Sequence, residues 1–235
     1  MVSADGKKGN EGSDPLFHAL LLPGLDGTGD LFTPLVDYAP KNVHSVVVRY
    51  PVDETSIDAF ERIARSKLIA PCIIIAESFS GPIGVRIASD PRVRALVLCN
   101  SFVTSPMPLA FRHVAVAAFF SIPLPHFVLR SLLLGSHASP GLVQSAQHAI
   151  RRVPPNVLAT RVQEVFRTDE RPALQALTKP ILYLRGSEDF IVSNKCWTDL
   201  KAVRPDASIV SIKGPHLLLQ TSPRECWDAI AVFLR

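Results

Sequence analysis

The run CIIIAESFSGPIGVRIA, Cys72 to Ala88, decides the fold. Its first half is a β-branched apolar stretch that ends at Glu77. Its second half takes up helical spacing from Gly81, and small residues surround Ser78 between the two. A buried strand that bends at once into a helix reads as one unit of a parallel sheet, whose strands need crossovers and are covered on both faces. The bend lifts the Ser78 hydroxyl clear of the strand. Small residues two positions to either side, Ala76 and Ser80, let the strand and helix backbones approach. The common form of such a turn is G-x-S-x-G; Ala76 and Ser80 replace both glycines here. The apex residue is expected to carry strained backbone angles costing on the order of 1–3 kcal/mol. Gly81-Pro82 suits a first helical turn, where no intrahelical N–H bond is needed. Taken alone, the pentapeptide also fits an unreactive turn serine. Ser80 is a rival nucleophile, but it falls in the first turn of the helix, where its hydroxyl would cap or pack.

Outward from this unit, apolar runs alternate with amphipathic segments, the pattern of a parallel α/β sheet. Strands are predicted over Phe17 to Leu22, Val43 to Tyr50, Cys72 to Glu77, Arg94 to Cys99, Ile181 to Arg185 and Ser208 to Ile212. Helices are predicted over Ser56 to Lys67, Gly81 to Ser89, Asn194 to Ala202 and Pro223 to Leu234, with starts such as Ser193 and Ser222-Pro223. The alternation stops at Asn100 and resumes at Pro180. The expected organisation is therefore a tail over residues 1–15, a core over 16–100 and 180–235, and a helical insertion over 101–179 at one end of the sheet.

Composition narrows the function. A chain of 235 residues suits one compact domain, and 47% hydrophobic with 20% charged residues is a globular balance. The net charge of +4 is spread without a dense basic run, which argues against nucleic acid as a partner. Cys72, Cys99, Cys196 and Cys226 lack zinc-ligand or C-x-x-C spacing and read as reduced and structural. The polar stretch from Met1 to Pro15 holds no apolar signal segment, so a cytoplasmic location is expected. The lipophilic stretch Met107 to Leu134 is broken by Arg112, Pro123, Pro125 and Arg130, which argues against a stable membrane span.

Three further elements bear on Ser78. After the first strand, Leu22-Pro23-Gly24-Leu25-Asp26-Gly27-Thr28-Gly29 forms a glycine-rich turn at the sheet edge where parallel sheets bind ligands. Acyl transfer needs N–H groups aimed at a developing oxyanion, each worth roughly 3–4 kcal/mol of barrier. The backbone amides of Leu25 and Phe79 are the candidates. A dinucleotide-binding loop fits badly, because the spacing is G-x-x-G-x-G and the next strand ends Val48-Arg49-Tyr50 without an acidic residue. Asp26 is expected to stabilise the turn through bonds to the backbone. Late in the chain, the strand from Ile181 leads to Asp189, and the strand from Ser208 leads through Gly214-Pro215 to His216.

The order serine, aspartate, histidine matches a nucleophile, an acid that fixes the histidine tautomer, and a general base. Glu188 is the alternative acid, and the rival reading of Asp189 is a cap on the following helix. His18, His44, His113, His126, His137 and His148 do not follow strands in a suitable place. The candidate catalytic set is thus Ser78, Asp189 and His216.

With LPGLDGTG, AESFSG, GSEDFIV and GPHLLLQTSP in hand, the chain resembles the α/β-hydrolase superfamily, in particular its small bacterial-type carboxylesterases and thioesterases. The resemblance covers Phe17 to Arg235 apart from the insertion. It implies an α/β-hydrolase fold with a mainly parallel sheet of about six strands, flanked by helices and carrying a helical cap. The two antiparallel strands that open the sheet in such proteins have no counterpart before Phe17, and Pro-Gly replaces the frequent His-Gly at the oxyanion turn. The implied activity is hydrolysis of carboxylic esters through an acyl-enzyme, with a small-molecule ester as partner and no metal or cofactor. Acyl-thioester hydrolysis or acyl transfer would use the same residues, and a non-catalytic ligand receptor is the reading from another class. Apolar residues of the insertion, among them Phe102, Met107, Phe111 and Phe119, are candidates to line an acyl pocket for short to medium apolar groups. Each could equally pack the cap onto the sheet.

Overall fold

The computed structural model of the protein describes residues 17–106 and 126–235. Six strands, β1 (Phe17–Leu22), β2 (Val43–Val47), β3 (Cys72–Glu77), β4 (Val93–Cys99), β5 (Ile181–Gly186) and β6 (Ser208–Ile212), form one sheet in the order β2-β1-β3-β4-β5-β6. Every pairing is parallel. The helices are α1 (Thr33–Asp37), α2 (Ile57–Ser66), α3 (Gly81–Ile87), α4 (Pro140–Arg151), α5 (Pro155–Arg167), α6 (Arg171–Ala176), α7 (Asn194–Val203) and α8 (Pro223–Phe233), with short turns at His126–Leu129 and Leu218–Thr221.

Alternate side chains of each strand go to opposite faces, so both faces need cover. On one face Leu20, Ile74, Leu96 and Tyr183 meet Phe60 of α2, Ile83 of α3 and Leu200 of α7. On the other, Leu21, Ile75, Val97 and Leu184 meet Leu35 of α1 with Trp227 and Ile230 of α8. Each such fully buried aliphatic side chain contributes about 1.5–3 kcal/mol. The Trp227 indole N–H also donates to the Leu35 carbonyl at 2.8 Å, pinning α8 to α1.

β2 is shorter than the sequence predicts. Val48 N–H still donates to Leu21 O at 2.9 Å, but Tyr50 N–H donates to Gly27 O at 2.8 Å, so the chain leaves the sheet to brace the loop after β1. Helix starts also differ in kind. Ser56 caps α2 through Ala59 N–H and Ser139 caps α4 through Leu142 N–H. Ser193 and Ser222 occupy N-cap positions without a side-chain cap bond. The Ser222 hydroxyl is directed instead to Lys213 O at 3.4 Å.

Of residues 101–179, those outside 107–125 are described. Thr104 and Asp169 form an antiparallel bridge, and α6 packs on α3 and α7 in the covering layer. Helix α4 packs with Leu31 and Leu217, and the start of α5 packs with Leu25 and Val52, all on loops at the C-terminal ends of strands. Among the described residues, no helix is long and apolar enough to cross a membrane. The four cysteines are free and buried.

Strand β1 has β2 on one side and β3 on the other, so the loops after β1 and β3 diverge at the carboxyl edge. Open α/β sheets form a ligand crevice at such a reversal of strand order. Helix α3 leads away from that edge and packs closely against β3. A Cβ on Gly84 would stand 2.8 Å from the Cβ of Ala76 and 3.2 Å from Cδ1 of Leu96. Gly84→Val is therefore expected to lower the urea midpoint by the equivalent of about 1–3 kcal/mol with an unchanged m-value. A midpoint equal to that of the unsubstituted protein would mean that α3 can move off the sheet at no cost.

Candidate active site

Ser78 follows β3 directly, at the head of a single 3-10 turn, Ser78–Ser80, that runs into α3. Its φ is +47°, in the left-handed region that costs a residue with a Cβ. Neighbouring contacts hold it there. The Ser101 hydroxyl donates to Ser78 O at 2.5 Å, and a Cβ on Gly81 would fall 1.9 Å from that same hydroxyl oxygen, so a side chain at residue 81 would displace the hydroxyl from this bond. The Ser80 hydroxyl donates to Pro23 O and lies 3.1 Å from the Tyr50 hydroxyl. Ser80 thus ties the turn after β3 to the turn after β1.

The structure brings Ser78, His216 and Asp189 together from loops after β3, β6 and β5. His216 Nε2 lies 2.9 Å from Ser78 Oγ, and His216 Nδ1 lies 3.0 Å from Asp189 Oδ2. An ionised carboxylate can only accept, so Nδ1 carries the proton and Nε2 is left to accept from the serine hydroxyl. The Asp189 and His216 side chains are 2% and 6% exposed, which keeps water from competing for these bonds. The other Asp189 oxygen accepts from Ile191 N–H (2.8 Å) and Val192 N–H (3.1 Å). Asp189 therefore closes its own turn and does not cap α7, which starts at Asn194. Glu188, the alternative acid, is exposed.

Two residues at the end of β4 that the sequence reading did not single out fasten these loops. Asn100, at φ +42°, donates from Nδ2 to Pro215 O (3.0 Å) and His216 O (2.8 Å), and its Oδ1 accepts from Gly186 N–H (2.7 Å). One amide side chain thereby joins the acid-bearing loop to the histidine-bearing one. Ser101 holds the Ser78 carbonyl, and its own carbonyl accepts from Tyr183 Oη at 2.6 Å. The available signal was an asparagine closing a β-rich strand, since Asn tolerates the left-handed region better than other side chains.

The turn after β1 is built as its glycines suggest. Gly27 N–H donates to Gly24 O at 3.0 Å, and Asp26 Oδ1 accepts from both the amide (2.8 Å) and the hydroxyl of Thr28. Gly29 has φ +70°, and a Cβ there would stand 2.6 Å from Val47 Cγ1. Among the described residues, no backbone or side-chain acceptor takes the N–H of Leu25 or of Phe79. Phe102 is buried with Val192 and Cys196 beneath the Asp189 turn. Met107, Phe111 and Phe119 lie outside the described residues. A groove lined by Phe127, Arg130, Glu188, Phe190 and Pro215 runs beside the Asp189 and His216 loops. Phe190 is 79% exposed there.

Glu77, next to Ser78, turns its carboxyl into the opposite side of β3, where Gln220 Nε2 donates to Oε2 at 3.2 Å. Burial pushes its pKa from 4.5 up to about 8; the Gln220 bond opposes this and the Asp26 charge adds to it. The folded protein therefore keeps this proton where the unfolded chain has lost it. The associated stability is complete below pH 4.5 and falls as pH rises towards about 8, by at most about 1.4 kcal/mol per pH unit. Glu77→Gln is expected to gain in melting temperature relative to the unsubstituted protein between pH 5 and pH 8. A difference that stays constant over this range would show that Glu77 is ionised when folded.

No family model matches the sequence, and no curated protein matches it. Solved structures do match in shape. An esterase from Thermogutta terrifontis superposes with a TM-score of 0.76 at 19% identity, over 94% of this chain and 90% of that chain. The enol-lactonase from Burkholderia xenovorans LB400 gives 0.75 at 17% identity, over 97% and 93%. An extracellular α/β-hydrolase from a Paenibacillus species gives 0.69 at 14% identity, over 92% and 98%. The parallel sheet, its strand order and these superpositions lead to one conclusion: the chain has the α/β-hydrolase fold.

Proposed function

We propose that the protein is a serine hydrolase that cleaves carboxylic esters, with Ser78 as nucleophile, His216 as general base and acid, and Asp189 as the orienting acid. The observation that carries this reading is the unbroken chain from Asp189 Oδ2 through both His216 nitrogens to Ser78 Oγ, at 3.0 and 2.9 Å. Similarity in shape to structures described as an esterase and an enol-lactonase supports hydrolysis as the reaction class.

A serine hydroxyl is a weak nucleophile at neutral pH, and a histidine within hydrogen-bond reach removes that obstacle. His216 Nε2 takes the Ser78 proton as Oγ bonds to the ester carbonyl carbon. The carbonyl oxygen becomes an oxyanion, for which the free N–H groups of Leu25 and Phe79 are the proposed donors. The protonated imidazole, stabilised by Asp189, then returns the proton to the departing alcohol. Water attacks the acyl-serine with His216 again as base, and Ser78 is regenerated. The preference for short to medium apolar acyl groups rests on the apolar residues between Phe102 and Phe127.

Hydrolysis of p-nitrophenyl butyrate by the wild type and by Ser78→Ala, each checked for folding, tests the reading. A folded variant should lose at least about a thousandfold in kcat. A folded variant with wild-type activity would remove Ser78 from the mechanism. p-Nitrophenyl esters of graded chain length, set against acyl-thioesters, should show the highest kcat/KM on short to medium esters; a higher value on the thioesters would replace the ester assignment.

A further inference from the structure

Arg161, on α5, is wholly buried, with no exposed surface. Among the described residues, no carboxylate lies within ion-pair distance of its guanidinium, and burial pulls its pKa down against the more distant charge of Asp26. Among the described residues, all its hydrogen bonds run to backbone carbonyls. Nη1 donates to Leu25 O (2.8 Å) and Asp26 O (3.0 Å), Nη2 to Pro51 O (2.8 Å) and Nε to Glu54 O (3.0 Å). Its Cζ also stands 5.1 Å from the centre of the Phe60 ring, which meets the Phe79 ring edge-on at 5.7 Å.

Burying a cation without an ionic partner is expensive, and an apolar side chain of similar volume would fill the space at lower cost. What only a planar fork can do is hold four carbonyls of two loops at once. The held loop is the turn after β1. Gly24 O points back to Gly27 N–H, so across the trans peptide the Leu25 N–H points out of the turn. Arg161 fixes the next two carbonyls and so prevents the turn from flipping. Gly27 leaves room for this contact, since a Cβ there would come within 2.9 Å of Nη1.

We propose that Arg161 is a positioning residue for the oxyanion hole, through which helix α5 of the insertion sets the direction of the Leu25 N–H. The proposal rests on the hydrolase reading above for its effect on turnover, though not for its effect on the turn. It predicts that loss of the guanidinium lowers kcat and leaves substrate binding nearly unchanged, because the displaced donor acts mainly in the transition state.

The test uses Arg161→Met and Arg161→Lys in the full chain. A fluorophosphonate that labels Ser78 covalently counts active sites, so kcat can be expressed per labelled site. For Arg161→Met, kcat per site should fall roughly tenfold to a hundredfold with KM within about threefold, and for Arg161→Lys it should fall less. An unchanged kcat per labelled site, or a loss explained wholly by fewer labelled sites, would overturn the proposal. If Arg161→Met does not fold, Arg161→Lys carries the same readings. If the wild type neither turns over esters nor takes the label, the hydrolase reading fails, and amide hydrogen exchange decides the structural claim. Faster exchange over residues 23–29 with the sheet unchanged supports the hold by Arg161; unchanged exchange there overturns it.

Discussion

The backbone of Ser78 is the constraint on which the rest of the site depends. A φ of +47° on a residue with a Cβ is unfavourable, and it persists only where surrounding contacts over-determine it. Here the over-determination is visible atom by atom. Strand β3, buried along its whole length, fixes the entry, and the Gly84–Ala76 approach fixes the exit through α3. The Ser101 hydroxyl holds the serine's own carbonyl. The consequence is a hydroxyl raised above the carboxyl edge of the sheet, in the crevice where the strand order reverses.

Around that hydroxyl, positioning relies on bonds to main-chain carbonyls and amides. Asn100 joins two loops through three backbone groups, Ser80 holds Pro23 O, and Arg161 holds four carbonyls. Loops fastened by their backbones keep their shape whatever their exposed side chains do. That leaves side chains such as Glu188 and Phe190 free to face the groove beside His216. Rigid support beneath a variable rim is how one fold hosts many reactions.

Glu77 shows the cost of the same compactness. The residue before the nucleophile is carried into the interior by strand alternation, and its carboxyl meets Gln220 and the field of Asp26 in place of a cation. Holding it neutral is the cheaper solution, because burial penalises the ionised carboxylate, and the charge that Asp26 brings to the turn after β1 adds to that penalty.

Much of this was legible in the residues alone. Periodicity placed all six strands, three with the observed bounds and two others to within a residue: the four inner strands are largely buried and read as apolar runs, while the partly buried edge strands β2 and β6 set Val and Ile among polar residues. Order along the chain singled out Ser78, Asp189 and His216, because each needs the end of a strand followed by a particular residue type. The second strand was overextended, since Val48 to Tyr50 keeps strand composition while Tyr50 N–H leaves the ladder for Gly27 O in the loop after β1. Asn100, Ser101 and Arg161 were missed for a common reason: their partners are backbone groups far away in the chain, over 100 residues in the case of Arg161. A backbone carbonyl has the same chemistry at every position, so sequence can mark the side chain that seeks one but not the one it finds. By itself the sequence determined the sheet, its crossovers and the residue types at its edge, through local periodicity and turn chemistry. Only the tertiary structure decided which distant loops meet and what holds them, because that depends on packing among elements whose pairing no local pattern encodes.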